Sequence, residues 1–134
     1  MKNSIQFPSK IENINIVEKL VDELTQQHQI NSEVYGNMLV SMVEAVNNAI
    51  IHGNKLDETK SVFIDYGLDD GTFWFTVKDE GHGFDFKNIP DPTSSENLEK
   101  PHGRGIFLIK HLVDELTFKD KGSKICIKIN IHPN

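Results

Sequence analysis

The order of hydrophobic patterns along the chain constrains the fold most, because helical stripes come first and strand patterns follow. One helical stripe ends near Gln27, and a second helix is predicted to begin at Asn31 and to stop at Gly53. Residues 62–68 and 72–77 are rich in β-branched and aromatic side chains, with a hairpin turn signal between them. Helices followed by grouped strands predict an α+β two-layer sandwich.

Weaker patterns at the two ends of the chain extend this prediction. Residues 4–7 have a short strand pattern, and Ser9 with Glu12 has the spacing of a capping box for the first helix. The elements predicted near the C-terminus are a helix over residues 105–116 and strands over residues 117–118 and 124–131. No repeat or linker divides the sequence, so residues 1–134 are predicted to form a single domain.

Charge and cysteine content argue against several classes of protein. The net charge of −6 argues against a nucleic-acid-binding protein, which needs a basic surface to neutralise phosphates. The single cysteine, Cys126, cannot form an internal disulfide, and its alternating strand pattern indicates a buried thiol in a reducing compartment. The sequence shows no signal peptide and no run of membrane-spanning length, so we expect a cytoplasmic protein.

A carboxylate and a carboxamide lie one helical turn apart on the second predicted helix. Glu44 and Asn48 therefore project from one face. The Asn48 oxygen can supply one ligand to Mg²⁺ while nucleotide phosphates supply others. Glu44 can accept a proton from an attacking hydroxyl or hold a water in line. A solvated helix face stays open as the alternative, and His52, in register with Asn48, is predicted to line the edge of the site.

An acid and two glycines follow the second strand of the predicted hairpin. The Asp79 carboxylate can accept a hydrogen bond from the exocyclic amine of adenine, and Gly81 and Gly83 let the backbone approach the ring or the ribose. A methyltransferase-type cofactor loop would run straight into a helix, and an EF-hand calcium loop would need regular ligand spacing and a closing Glu. Both are minor alternatives, because the sequence has neither feature, and a plain glycine-rich turn also stays open.

A third glycine-rich segment opens the last predicted helix. Gly103 and Gly105 lack the Cβ atoms that would keep phosphate oxygens away from the free N–H groups of a helix N-terminus. Arg104 between them can pair with a phosphate or face a partner, and a glycine hinge explains the segment equally well on its own. The polar stretch over residues 84–101 has no periodicity and is predicted to be a mobile, functional loop.

Taken in order, the three segments resemble the motifs of the GHKL, or Bergerat-fold, ATPases. This superfamily includes the ATP-binding domains of gyrase, the heat-shock chaperone, mismatch-repair proteins and histidine kinases. Residues 44–53 and 103–115 are especially similar to bacterial anti-sigma factor serine/threonine-protein kinases, and the resemblance covers nearly the whole chain. It implies a mixed, mostly antiparallel sheet with about three helices on one face.

The resemblance also implies roles for the residues of these segments, in a site that binds ATP and Mg²⁺. Glu44 is expected to be the general base, Asn48 the magnesium ligand and Asp79 the group that binds the adenine amine. The other residues expected to contact the nucleotide are Gly81, Gly83, Gly103, Arg104, Gly105 and Ser123. Residues 84–102 are expected to form a flexible lid, although they depart from the family in lacking a clear aromatic-threonine-lysine pattern.

The family resemblance leaves three functions open. In the leading hypothesis the chain is an anti-sigma regulatory protein-serine kinase. It would transfer the ATP γ-phosphate to a serine of an anti-anti-sigma (STAS-type) antagonist and sequester a sigma factor. In the second it is a non-catalytic, ATP-dependent protein-binding switch of the same fold. A histidine-kinase catalytic domain is the weakest, because residues 1–30 leave too little room for a phosphoacceptor helix. We expect protein partners without direct nucleic-acid or membrane contact and, by family analogy, a homodimer.

Overall fold

Eight helices and strands make up the part of the chain that the computed structural model describes, residues 2–83 and 101–132. In chain order they are β1 Lys2–Pro8, α1 Ile14–His28, α2 Ser32–Asn47, β2 Ser61–Asp69, β3 Thr72–Lys78, α3 Pro101–Leu112, β4 Glu115–Lys119 and β5 Lys124–Asn130. A π-helical turn, Asn48–Gly53, continues α2, and 3₁₀ turns lie at Ile11–Asn13 and Asp120–Gly122. Residues 84–100, nearly all of the predicted lid, lie outside the described ranges.

The five described strands form one sheet in the order β1-β2-β3-β5-β4. Each pair of neighbouring strands is antiparallel. The turn at Asp70 and Gly71 joins β2 to β3, and both residues have positive φ, as the right-handed twist of a two-residue hairpin favours. The predicted α+β class and the predicted hairpin are confirmed.

The hydrophobic core lies between one face of this sheet and the helices. On the core side of the sheet Phe75 of β3 pairs with Ile127 of β5, and both side chains are buried. The helices add fully buried residues to the same cluster, among them Val21 of α1 and Met42 of α2. None of the helices in the described ranges has the length and hydropathy needed to cross a membrane.

The opposite face of the sheet carries Cys126, so the prediction of a buried thiol is wrong. Cys126 pairs with Thr76 and Thr117 and is partly exposed. The alternation in β5 explains this, because Ile125 and Ile127 face the core and the residue between them must point away.

The predicted capping box at Ser9 is also wrong. The Ser9 hydroxyl donates to the Lys60 carbonyl at 2.8 Å and accepts from Asn54 at 2.7 Å, so it belongs to a long-range network. Helical structure begins with the 3₁₀ turn Ile11–Asn13, which has no side-chain cap. By contrast, the Asn31 side chain accepts a hydrogen bond from the Val34 N–H at 2.8 Å, and this cap confirms the predicted start of the second helix.

The last helix, α3, is displaced toward the N-terminus from its predicted range of 105–116. It begins at Pro101, a residue type favoured in the first turn, so Gly103 and Gly105 lie inside the helix rather than ahead of it. It ends at Leu112, and Leu116 belongs to β4, where it pairs with Ile127. Pairing with β5 has therefore overridden the local helical pattern.

Candidate nucleotide-binding site

A cavity opens between the end of α2 and the sheet. Four predicted site residues line it, namely Asn48, Asp79, Gly83 and Ser123. His52 also lines it, as predicted. The remaining lining residues are Ala45, Ala49, Gly53, Val77, Phe118, Gly122 and Ile125. The structure thus brings residues of the first two sequence segments together with the final hairpin.

Asp79 directly follows β3 and is held by two hydrogen bonds. Its N–H donates to the Ser123 carbonyl at 3.0 Å, and its Oδ1 accepts from the Gly81 N–H at 2.7 Å. Burial raises the pKa of the Asp79 carboxyl above its ordinary value, and the Gly81 N–H and the charges of Lys60 and Lys78 oppose that rise. The second carboxylate oxygen, Oδ2, is an acceptor that a ligand amine in the cavity can use.

Gly53 and Gly81 allow the end of the π-helical turn to contact residues 79–81, which we call the Asp79 turn. A Cβ on Gly53 would overlap the Asp79 carboxylate, and a Cβ on Gly81 would overlap the Gly53 carbonyl oxygen. Glycine is required at both positions because backbone and carboxylate occupy the space that any side chain would fill. This close contact sets the position of Asp79 relative to Asn48 at the start of the turn.

Gly83 and Ser123 also line the cavity. Gly83 has φ +85°, and a Cβ there would overlap the Lys121 carbonyl oxygen. The buried Ser123 hydroxyl donates to the Asp120 carbonyl at 2.9 Å, so its oxygen keeps acceptor capacity toward the cavity that it lines. The Ser123 carbonyl accepts the hydrogen bond from the Asp79 N–H, so Ser123 lies beside Asp79.

Apolar walls flank the Asp79 carboxylate. The helix side presents Ala45 and Ala49, whose short side chains leave room for a ligand, and the sheet side presents Val77, Ile125 and Phe118. A planar heterocycle between these walls exchanges water for apolar contact, and the carboxylate selects its orientation. The cavity therefore has the chemistry of a site for an amine-bearing aromatic base.

Glu44 lies one turn before Asn48 but outside this cavity, in a separate groove that includes α1. Gly105 of the third segment lies close to Glu44, because a Cβ on Gly105 would lie 3.1 Å from Glu44 Oε2. Gly103 and Arg104 belong to the first turns of α3, and their surroundings lie outside the described part of the chain.

The donor set fits a cation that a nucleotide brings with it. No group of three or more His, Cys, Asp or Glu side chains among the described residues is arranged to hold a metal ion. Mg²⁺ in phosphate-binding sites needs only one or two protein oxygens besides phosphates and waters. The Asn48 carboxamide, which lines the cavity, can supply such an oxygen.

Several residues of the site were not identified from sequence. The positions of Val77 and Ile125 could have been predicted. Val77 lies two residues before Asp79 and therefore on the same side of the chain, and Ile125 pairs with Val77 in the sheet. Gly53 was assigned only as a helix stop, and Phe118 only as a strand residue. Their places depend on the π-helical turn and on the pairing of β4 with β5, neither of which has a local signature.

The chain is similar to known proteins along most of its length. Residues 7–129 match the family model of the histidine kinase-like ATPase domain. An anti-sigma F factor of Clostridium perfringens is 32% identical over 133 residues, which cover 95% of this chain and 94% of that protein. The serine-protein kinase RsbW of Oceanobacillus iheyensis is 23% identical over 123 residues, covering 87% of this chain and 78% of that protein.

A solved structure shares the fold. It contains the RsbU and RsbW domains of a Mycobacterium tuberculosis protein and superposes on 96% of this chain with a TM-score of 0.66 at 16% identity. This chain covers 31% of that longer protein. Because the family model spans most of the sequence and a relative of the same length is 32% identical, the chain belongs to the histidine kinase-like ATPase family.

Proposed function

We propose that this chain is an ATP-binding, anti-sigma regulatory protein-serine kinase. It transfers the γ-phosphate of ATP to a serine of an anti-anti-sigma (STAS-type) antagonist. It sequesters a sigma factor while that antagonist is phosphorylated. The names of its relatives, anti-sigma F factor and serine-protein kinase, support this assignment.

The observation that carries the ATP-binding part is the partly buried Asp79 carboxylate between apolar walls. Its Oδ1 is committed to the Gly81 N–H, and Oδ2 accepts a hydrogen bond from the adenine amine in the proposed complex. A buried acceptor rejects guanine, which presents a carbonyl oxygen at the corresponding position of the ring, because two acceptors then face each other.

Phosphate transfer in this proposal uses Glu44 and Asn48, which lie one helical turn apart. Glu44 accepts the proton of the attacking serine hydroxyl as the serine oxygen bonds to the γ-phosphorus, and the bond to the leaving ADP oxygen breaks. Asn48, together with the phosphates, would hold Mg²⁺, and the ion would neutralise the charge that develops during transfer. Gly105, next to Glu44, lets the start of α3 approach the phosphates.

The experiment that tests the kinase is a phosphoserine assay with a co-expressed STAS protein, using Glu44→Ala. We expect transfer to fall by about 10²–10⁴-fold, the typical contribution of a positioned base, with ATP affinity retained. Glu18→Ala is the matched control, because Glu18 is a carboxylate of the same groove and has no role in this mechanism. Near-wild-type transfer by Glu44→Ala would remove Glu44 from the catalytic role.

Calorimetric titration of ATP, with and without Mg²⁺, separates this proposal from the non-catalytic switch. Magnesium-dependent ATP binding together with phosphoserine formation supports the kinase. Binding without transfer to any antagonist supports a switch that reports nucleotide state to a protein partner. Absence of ATP binding at millimolar concentration contradicts both.

A further inference from the structure

Asn54, the residue that follows the π-helical turn, is almost completely buried and uses its side chain in three hydrogen bonds. Its exposed fraction is 1%. Its Nδ2 donates to the Ser9 hydroxyl at 2.7 Å and to the Ser61 carbonyl at 2.9 Å. Its Oδ1 accepts from the Glu80 N–H at 2.7 Å. A buried amide satisfied on both ends holds the groups around it in one arrangement.

These bonds connect two parts of the nucleotide cavity. The Asn54 N–H donates to the Ala49 carbonyl at 2.8 Å and closes the π-helical turn that begins at Asn48. The Asn54 side chain holds the N–H of Glu80, the residue directly after Asp79. The residue before it, Gly53, lies against the Asp79 carboxylate. Asn54 therefore joins the end of the π-helical turn to the Asp79 turn.

Asparagine suits this position because one short side chain supplies both an acceptor and two donors. Aspartate offers the acceptor for the Glu80 N–H but no N–H for the Ser61 carbonyl. A second hydrogen bond connects the same segments, because the Ser61 N–H donates to Glu80 Oε2 at 2.6 Å. That link is exposed, so the buried Asn54 contact is the one that solvent weakens least.

We propose that Asn54 is a positioning residue that fixes the Asp79 turn against the end of the π-helical turn and thereby sets the affinity for adenine nucleotides. This inference rests on the proposed ATP binding. Asn54 does not line the cavity, so it acts through the backbone of Glu80 and through Gly53. Its removal loosens the turn and lowers ATP affinity, and it leaves the rate of phosphate transfer at saturating ATP nearly unchanged.

The test combines amide hydrogen exchange, measured by NMR on the nucleotide-free protein, with calorimetric titration of ATP. In the wild type, the Glu80 amide is expected to exchange at least about tenfold more slowly than its intrinsic rate. In Asn54→Ala this protection is lost, and the Kd for ATP rises about tenfold, the upper range of one hydrogen bond. Asn54→Asp, which keeps the acceptor, is expected to retain most of the Glu80 protection.

Two further variants distinguish positioning from a general loss of structure. Asn13→Ala is the matched control, because the exposed Asn13 amide donates to the Pro8 carbonyl at 2.9 Å and has no contact with the Asp79 turn. Ser9→Ala removes the neighbouring hydroxyl but keeps the Glu80 bond. Both are expected to bind ATP within about threefold of the wild type, since neither breaks the contact to the turn.

Three results would overturn the proposal: an unprotected Glu80 amide in the wild type, unchanged ATP affinity in Asn54→Ala, or an equal loss in Ser9→Ala. If Asn54→Ala does not fold, the wild-type exchange rate and Asn54→Asp carry the test. If the wild type fails to bind ATP, the proposed function fails. Hydrogen exchange of the Glu80 amide then still tests whether Asn54 fixes the position of the Asp79 turn.

Discussion

At the Asp79 carboxyl, burial raises the pKa, with the Gly81 N–H and two lysine charges in opposition. The folded protein then binds a proton at Asp79 more readily than the unfolded chain does. Its contribution to stability is therefore most favourable below the ordinary pKa of 3.8 and is lost as pH rises through the folded-state pKa. At neutral pH the charged carboxylate costs stability, as is common for groups kept for binding.

Asp79→Asn is predicted to abolish ATP binding and to raise the thermal midpoint at pH 7. The gain is expected to shrink as pH falls toward 3, where the wild-type carboxyl is protonated. Thermal melts from pH 3 to 7, with ATP titration at pH 7, measure both effects. A destabilised Asp79→Asn at pH 7, or one that keeps wild-type ATP affinity, would contradict this prediction.

Asp57 provides a control, because the pKa of its carboxyl is shifted in the opposite direction to that of Asp79. Hydrogen bonds from the Thr59 hydroxyl and N–H lower the pKa of the Asp57 carboxyl. That stabilisation is present above the unfolded pKa and is lost as pH falls through the folded pKa. Asp57→Asn is therefore expected to lower the thermal midpoint at pH 7, and to do so less at pH 3, without changing ATP affinity.

Among the helices, α2 and its π-helical turn carry the elements of the site in a fixed order. Glu44 lies on the regular helix, Asn48 begins the π-helical turn and Gly53 ends it against Asp79. π-Helical turns inside α-helices are frequent at functional sites. In this protein the turn ends the helix where the backbone must meet the Asp79 carboxylate without a side chain between them.

Two glycines on this helical segment give a matched pair for testing that contact. A Cβ on Gly53 would overlap the Asp79 carboxylate, whereas one on Gly36, inside α2, would meet no atom within 4 Å. Gly53→Ala is predicted to displace Asp79 and weaken ATP binding by at least about tenfold. Gly36→Ala is predicted to stabilise the protein by about 0.5–1 kcal/mol and leave ATP binding unchanged.

Chemical denaturation and ATP titration of both variants check this pair. Equal ATP affinities for Gly53→Ala and Gly36→Ala would show that the Asp79 turn yields to the added methyl group. The close contact would then have no consequence for binding.

At the scale of the whole molecule, the cavity joins elements that are distant in sequence. Its lining residues come from α2, β3, β4, β5 and the turns that connect them. A ligand bound there contacts both the helical layer and the sheet. Binding should therefore stabilise the folded chain as a unit, because the unfolded chain has no such site.

Saturating ATP with Mg²⁺ is accordingly predicted to raise the thermal midpoint. At 100 times the Kd the stabilisation is about 2.7 kcal/mol, which corresponds to roughly 5–10 °C for a domain of this size. Differential scanning calorimetry with ATP, with GTP and without nucleotide measures the shift. An equal shift with GTP would contradict recognition of the base through Asp79.

Local sequence patterns were sufficient to predict most helices and strands and several of the residues that line the cavity. The cap at Asn31 and the hairpin turn at Asp70 and Gly71 act within a few residues, so their signals are readable in the chain. The short spacing of Asp79 and Gly83 is likewise readable in the chain, and both residues line the cavity. The nucleotide-binding and catalytic roles of all the site residues, Glu44 and Arg104 among them, stay predictions.

Contacts between distant segments could not be predicted from local patterns, because tertiary packing sets them. Ser9 caps no helix because it bonds Asn54, 45 residues away, and Leu116 is a strand residue because it pairs with Ile127. Gly53 belongs to the site because the fold brings Asp79 against it. Local conformations and the available chemical groups could be predicted from the chain, since they depend on neighbouring residues. Which groups meet was decided by packing and strand pairing, which depend on the whole chain.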